Sequence, residues 1–140
     1  MSTVDERIDS PPDERSVLRT VLDRQRRAFE AEGPPSAAVR RDRIDRLMAL
    51  LLENTDAFVD AMAADYGTRS KAGSLFTEVL GVVPVVEHTR RHVAQWMRTT
   101  PLLRAARLVG LRAEVQPTPL GVVGIIGPWN FPVNLVVLPA

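Results

Sequence analysis

An asparagine, Asn130, interrupts the apolar stretch IIGPWNFP, which covers residues 125–132. A side-chain amide at such a corner can donate a hydrogen bond to an oxygen that gains negative charge during a reaction, a role commonly worth about 2.7–4 kcal/mol. Asparagine also caps helices, and Pro132 suits a first helical turn. From the residues alone, helix capping is the favoured interpretation and catalysis is the alternative.

The residues before Asn130 predict a strand followed by a turn into a helix. Residues 122–126 are apolar apart from Gly124, which is typical of a strand buried on both faces of a parallel sheet. Gly127 and Pro128 then predict the turn. Such corners bind ligands because free backbone amides and the helix dipole converge there. The sequence therefore predicts a ligand site at this corner.

Two other patterns are weaker site candidates. His88 and His92 are four residues apart on a predicted helix, but Arg90 and Arg91 stand between them and no third ligand is evident, so no metal site is predicted. The arginine-rich residues 90–112 resemble a nucleic-acid patch only in charge, because apolar residues interrupt them and no recognised motif appears. We predict no nucleic-acid partner.

A membrane anchor is the rival interpretation of residues 119–140, which contain no charged side chain over 22 positions. That length can span a bilayer, where roughly 20 apolar residues suffice. Four prolines, three glycines and two asparagines within it would leave backbone groups unsatisfied in lipid. We therefore predict no membrane association.

The composition is that of an ordinary soluble domain. The chain has 140 residues, 45% of them hydrophobic and 25% charged, with a net charge of +1 and no cysteine. The absence of cysteine excludes a disulfide framework and a thiol nucleophile within these residues. The polar N-terminus lacks a signal peptide, so a cytoplasmic location is predicted. Seventeen of the 18 basic residues are arginine, which suggests a GC-rich bacterial genome.

Apolar residues recur at helical spacing through most of the chain. The pattern predicts one helix that ends at Gly33, a second that begins at an N-cap Ser36, and a third that begins at Asn54 or Thr55 and ends at Gly67. A longer helical pattern covers residues 70–97. Gly81 and Pro84 weaken it, so we expect a kink or two segments there.

Only one further strand is predicted, over residues 113–116, and a two-stranded ribbon is marginal in water. Most of the sheet is therefore expected to lie outside these residues, in a longer protein. The predicted fold class is α/β, with an N-terminal helical layer that leads into a strand, a turn and a helix. Residues 1–14 are predicted to be a mobile segment.

The motif PLGVVGIIGPWNFPVNL, residues 119–135, resembles the cofactor-domain signature of the aldehyde dehydrogenase superfamily. The resemblance extends upstream and is closest to the coniferyl aldehyde dehydrogenase branch. It is supported by RRAF (26–29), RRDRIDRLMALL (40–51), DYGTRSKAGSLFTEVL (65–80) and RRHVAQWM (90–97).

The resemblance implies that residues 15–140 are the N-terminal part of a cofactor-binding domain, in which the helical layer leads into the first strand, turn and helix of an incomplete Rossmann-like domain. It also implies NAD- or NADP-dependent oxidation of an aldehyde to a carboxylic acid. In the family, a cysteine thiolate attacks the carbonyl, hydride passes to the nicotinamide, and a glutamate-activated water releases the acid. The family's oxyanion-binding asparagine falls on Asn130, and its cofactor-lining turn falls on Ile126, Gly127, Pro128 and Trp129.

This chain departs from the family because it contains no cysteine. The nucleophile, the general base and the residues that hold the adenosine ribose are expected beyond residue 140. Nucleophilic catalysis needs an activated group within reach of the carbonyl, so these residues alone are predicted to oxidise no aldehyde. The resemblance also implies a homo-oligomer at full length. The alternative function is a non-catalytic helical module that associates with full-length subunits.

Overall fold

The structure is a computed structural model that describes residues 13–102, 108–111 and 113–140. Two parts of the chain lie outside the described residues. They are residues 1–12, which make up most of the predicted mobile segment, and residues 103–107 and 112 of the arginine-rich stretch. The helices are α1 (Glu14–Glu32), α2 (Ala37–Glu53), α3 (Thr55–Tyr66), α4 (Lys71–Ser74), a π-helix (Leu75–Leu80), α5 (Val83–Trp96) and α6 (Asn134–Val137). The strands are β1 (Thr100–Pro101) and β2 (Glu114–Val115).

The chain forms two compact units. The first contains α1 and the short stretch Leu120–Val122. Gly121 has a φ of +93°, a backbone conformation that favours glycine, and a Cβ at this position would lie 3.6 Å from the ring of Phe29. The second unit contains the remaining helices, both strands and the corner around Asn130.

The predicted boundaries of the first three helices are confirmed. The Ser36 hydroxyl accepts a hydrogen bond from the Val39 amide at 3.3 Å and caps α2. Asn54 is the N-cap residue of α3, although its side chain makes no capping bond. Helix α3 ends at Gly67, whose φ of +66° lies in the positive region that favours glycine.

The predicted break in the long helical pattern is also confirmed. Helix α4 continues into the π-helix, in which the Gly81 amide donates to the Phe76 carbonyl at 3.0 Å, five residues earlier. Helix α5 then begins at Val83, with Pro84 in its first turn, where proline is tolerated. The π-helix was not predicted, because a single extra residue in one turn leaves little trace in apolar periodicity.

The apolar core of the second unit lies where α2, α3, the π-helix, α5 and the α6 segment meet. Its buried members are Leu51, Val59, Met62, Val79, Val82, Val86 and Val133. Val133 is notable because it immediately precedes α6 and is only 8% exposed. The core therefore reaches the corner that contains Asn130.

The sheet differs from the predicted one. Strand β2 lies within the predicted residues 113–116, and it pairs antiparallel with β1, so that Thr100 faces Val115 and Pro101 faces Glu114. β1 was not predicted, because a two-residue strand carries no periodicity. The strand predicted over residues 122–126 is not observed. A strand requires a hydrogen-bonded neighbour, and among the described residues nothing pairs with this stretch, so the Rossmann-like part of the prediction is not confirmed.

Candidate active-site corner

The corner consists of residues 126–134, which connect an irregular stretch to α6. Its outer side chains are open to solvent, with Ile126 96% exposed and Trp129 79% exposed. Pro128 and Asn130 are also exposed. All four of these predicted site residues are therefore accessible to a ligand.

Gly127 lies against the short helix that follows the corner. A Cβ at this position would lie 2.5 Å from Cγ2 of Val136, and 3.4 Å from the Pro132 carbonyl oxygen. Real Cβ atoms essentially never approach another heavy atom so closely, so a side chain here would push the turn away from α6. The glycine therefore sets how closely the turn packs on the helix.

A buried carboxylate, that of Glu78 in the π-helix, binds the amides at the start of α6. Glu78 is fully buried, and its Oε2 accepts hydrogen bonds from the Val133 amide at 3.2 Å and the Asn134 amide at 2.9 Å. The first amides of a helix lack partners within the helix, and a negative charge there is also favoured by the helix dipole. Glu78 therefore caps α6 from another element.

Arg69 neutralises this carboxylate and extends the network to Asn130. Its Nη2 donates to Oε1 of Glu78 at 2.5 Å, and its Nε donates to the Ser74 hydroxyl at 2.9 Å. Its Nη1 donates to the main-chain carbonyl of Asn130 at 2.9 Å. The Arg69 side chain is only 18% exposed. A buried carboxylate needs both a countercharge and hydrogen bonds, and this arrangement supplies both.

Three further contacts support the corner or connect it to the helical part of the unit. The guanidinium carbon of Arg69 lies 5.1 Å from the centroid of the Tyr66 ring, within cation–π range. The Tyr66 ring in turn lies 6.5 Å from the ring of Trp129. On the other side of the corner, Nδ2 of Asn134 donates to the Thr77 carbonyl at 2.8 Å.

Asn130 does not cap the helix that follows it. Helix α6 begins at Asn134, its N-cap residue is Val133, and its first amides are bound by Glu78. The favoured sequence-based interpretation of Asn130 is therefore wrong. Within the described part of the chain, the Asn130 main chain is held by Arg69, whereas no hydrogen bond is made by its side-chain amide. That amide is free to donate to a ligand.

Sequence reasoning missed Arg69, Glu78 and Tyr66 as parts of this site. One signal for Glu78 was present, because it occupies an apolar stripe with Leu75, Val79 and Val82 at spacings of three, four and seven residues. A carboxylate in such a stripe implies a buried partner. Arg69 carried no comparable signal, since its contact with the corner, the Asn130 carbonyl, lies 61 residues away in the sequence.

The two weaker candidates are the His88–His92 pair and the arginine-rich residues 90–112. His88 and His92 stack with ring centroids 4.0 Å apart, and Nδ1 of His92 lies 2.8 Å from the His88 carbonyl oxygen. No group of three potential metal ligands occurs in residues 13–102, 108–111 and 113–140. In the described part of the arginine-rich residues 90–112, Arg90 forms an ion pair with Asp45.

The Asp45–Arg90 pair lies beside a cavity of about 330 Å³ between α2 and α5, lined by Ile44, Met48 and Val86 among others. Both side chains are about half exposed. The hydrogen bond from Arg90 holds the pKa of Asp45 below its usual value. Because the two groups satisfy each other, this cavity presents no free polar group of the pair to a ligand.

The described helices include none that is both long enough and apolar enough to cross a membrane. Residues 119–140, which the rival interpretation assigned to an anchor, form only the four-residue helix α6.

Comparison with known proteins gives one family. The sequence model of the family described as "Aldehyde dehydrogenase family" matches residues 11–140. A relative from Pseudomonas sp. strain HR199, named coniferyl aldehyde dehydrogenase, is 43% identical over 118 residues, which are 84% of this chain and 24% of the relative. A relative from Caulobacter vibrioides, named probable coniferyl aldehyde dehydrogenase, is 39% identical over 130 residues, 89% of this chain and 26% of the relative.

A more distant relative from Rattus norvegicus is named as a dimeric NADP-preferring aldehyde dehydrogenase. It is 27% identical over 124 residues, which are 89% of this chain and 27% of the relative. The chain thus spans about a quarter of the length of the curated relatives that it matches. The expected resemblance to the coniferyl aldehyde dehydrogenase branch is confirmed.

Proposed function

Because the chain belongs to the aldehyde dehydrogenase family, we propose that it forms the N-terminal part of an enzyme that oxidises an aldehyde to a carboxylic acid with NAD or NADP. The observation that carries the proposal is the Asn130 corner. Its side-chain amide is exposed and has no hydrogen-bond partner among the described residues, while its main chain is bound by a nearly buried arginine. A free donor on a fixed backbone is what oxyanion stabilisation requires.

The role proposed for Asn130 is to donate a hydrogen bond from its side-chain amide to the carbonyl oxygen of the aldehyde. That oxygen gains negative charge when a nucleophile adds to the carbonyl carbon. An amide already in place is not rearranged as the charge develops, so the transition state is stabilised more than the bound aldehyde. The effect should therefore appear in kcat.

We propose that the residues of the turn line one face of a nicotinamide cofactor. Ile126, Pro128 and Trp129 present exposed apolar surface, and residues 119–140 contain no carboxylate that would repel a negatively charged dinucleotide. We propose that these residues, with the main chain of Gly127, would hold the cofactor and exclude water from it. When bound, the nicotinamide would accept the hydride that the aldehyde carbon loses.

The described chain cannot complete this reaction by itself, because none of its 140 residues is a cysteine. The family reaction uses a cysteine thiolate, so we propose that the nucleophile is supplied by residues outside this chain. The chain alone should then produce no NADH or NADPH from an aldehyde. A substrate of the coniferyl aldehyde class is proposed from the names of the two bacterial relatives.

The test is a chimera in which residues 11–140 replace the matching N-terminal segment of the Pseudomonas relative. Asn130→Ala in this chimera should lower kcat about 10²–10³-fold, the usual cost of removing one oxyanion donor. Asn130→Asp is a matched variant that keeps the size but replaces the donor with a carboxylate, and it should be at least as impaired. An unchanged kcat in both variants would show that Asn130 has no catalytic role.

We also propose that the full-length protein is a cytoplasmic homo-oligomer. The rat relative is named as dimeric, and both residues of β2 are exposed in this chain. An exposed strand can pair with a second copy. Light scattering of the chimera should give at least twice the protomer mass, and a monomer at micromolar concentration would contradict this.

A further inference from the structure

Arg69 lies at the centre of the network that fixes the corner, and its hydrogen bond to the Asn130 carbonyl is only one of its three side-chain hydrogen bonds. Its three guanidinium nitrogens bind three acceptors on different elements: the Ser74 hydroxyl at 2.9 Å, Oε1 of Glu78 at 2.5 Å and the Asn130 carbonyl at 2.9 Å. The arginine guanidinium group carries five N–H donors in a rigid planar arrangement, so it can bind several acceptors at fixed angles. Lysine could not reproduce this geometry.

The corner is anchored on both sides of Asn130. The Asn130 carbonyl is bound by Arg69, and the amides of Val133 and Asn134 are bound by the same Glu78 that Arg69 neutralises. Before Asn130, the Trp129 ring contacts Tyr66, and Tyr66 lies beneath Arg69. The Arg69–Glu78 ion pair therefore binds the main chain at Asn130 and after it, and it contacts the residue before Asn130 only through the Tyr66 ring.

We propose that Arg69 and Glu78 are positioning residues, which orient the Asn130 side chain toward the substrate carbonyl through the main chain of the corner. The Asn130 carbonyl and its side-chain amide branch from the same residue, so fixing the peptide plane limits where the amide can lie. The inference rests on the proposed role of Asn130. A misplacement of about 1 Å can cost about 10²-fold in rate, so loss of this anchor should be visible in catalysis.

The primary test is a double-mutant cycle between Arg69→Met and Asn130→Ala in the chimera with the Pseudomonas relative. Arg69→Met alone should lower kcat about 10-fold or more, with the aldehyde KM changed by less than about threefold. In the Asn130→Ala background the same change should cost less than about twofold, because the group through which Arg69 acts is gone.

The cycle separates positioning from a merely structural role. If Arg69 only stabilises the fold, its substitution lowers kcat by the same factor in both backgrounds, and that result would overturn the inference. Arg69→Lys should recover only part of the loss, since it keeps the charge but not the fork. The matched control is Arg90→Met, which breaks the exposed ion pair with Asp45 and should leave kcat unchanged.

Failure of the proposed function would be distinguishable from failure of this inference. If Asn130→Ala leaves kcat unchanged, the oxyanion role is wrong whatever Arg69 does. The effect of Arg69 on the corner is then measured by NMR chemical shifts of the 140-residue chain. Arg69→Met should shift the Asn130 backbone amide and the Trp129 indole resonances, while resonances of α2 and α5 stay in place. Unchanged Asn130 and Trp129 resonances would overturn the inference without any activity measurement.

Discussion

Two regions of the second unit use an arginine–carboxylate pair in opposite ways. Between α2 and α5, Arg90 and Asp45 lie about half exposed above an apolar contact that already joins the two helices. At the corner, Arg69 and Glu78 are nearly or fully buried, and they hold a four-residue helix too short to be stable alone. The first pair lies at the edge of an apolar contact, whereas the second pair supplies buried hydrogen bonds to the amides at the start of α6, beside the apolar contact that Val133 makes.

The difference shows where polar groups determine structure. An exposed pair is solvated in the unfolded and folded chain alike, so its loss changes little. A buried pair has already lost its water, so removing one partner leaves the other charge uncompensated. Substitutions in the buried pair should therefore lower the free energy of unfolding more than substitutions in the exposed pair.

Glu78→Ala should have the largest effect on stability. The change removes the acceptor for the amides of Val133 and Asn134 and leaves Arg69 without its countercharge. Breaking a buried pair in this way costs about 3–5 kcal/mol of unfolding free energy. Urea unfolding followed by circular dichroism measures it. The control is Glu87→Ala, an exposed glutamate on α5, and equal losses in the two variants would contradict the contrast.

Gly127→Ala should come next. The new methyl group would lie 2.5 Å from Cγ2 of Val136, so either α6 or the turn must move, at a cost of about 1–3 kcal/mol. Gly124→Ala is a matched control three residues earlier, because a Cβ there meets nothing within 4 Å. The urea midpoints of the two variants are compared. If they agree within experimental error, the turn does not pack on α6.

Ser36→Ala should have a moderate effect in the helical region. It removes the oxygen that accepts the Val39 amide and caps α2, at a typical cost of about 1 kcal/mol. Ser36→Asp keeps a capping acceptor and should retain the stability of the parent chain. Thermal unfolding of both variants checks this, and a similar loss in each would mean that the cap is not formed in solution.

Asp45→Asn should have the smallest effect, and it should depend on pH. The hydrogen bond from Arg90 lowers the pKa of Asp45 from its ordinary value of 3.8. A lowered folded-state pKa stabilises the fold above pH 3.8, and this stabilisation is lost as the pH falls through the folded value. The parent chain and Asp45→Asn should therefore converge in urea midpoint in acid. A difference that persists at low pH would exclude the ion pair as its cause.

The same contrast explains what the sequence could predict. Helices α1 to α3 and the break near Gly81 follow from apolar spacing, caps and glycines, all of which are local in the sequence. Asn130 and Trp129 were predicted as site residues from a motif. Arg69 and Glu78 were not assigned to the site, because their contacts with the corner join residues 55 to 61 positions apart in the sequence, and the apolar stripe around Glu78 indicates burial without naming the partner.

The strand predicted over residues 122–126 failed for a related reason. Its composition satisfies the requirements of a buried strand, but a strand also depends on a hydrogen-bonded neighbour. Among the described residues, only β1 and β2 pair with each other. A local pattern can thus indicate that a segment favours a strand, but the strand forms only when a neighbouring strand is present to pair with it.

Hydrogen exchange of the Val133 and Asn134 amides, measured in the 140-residue chain and in Glu78→Gln, tests most directly whether the Glu78 carboxylate holds the start of α6. We expect slow exchange of both amides in the parent chain. In Glu78→Gln it should be about 10-fold faster or more, since hydrogen bonds to charged groups contribute about 1.5–3 kcal/mol. Amides around Leu51 should stay protected in both. Rapid exchange of Val133 and Asn134 in the parent chain would contradict the claim that a buried carboxylate holds this corner.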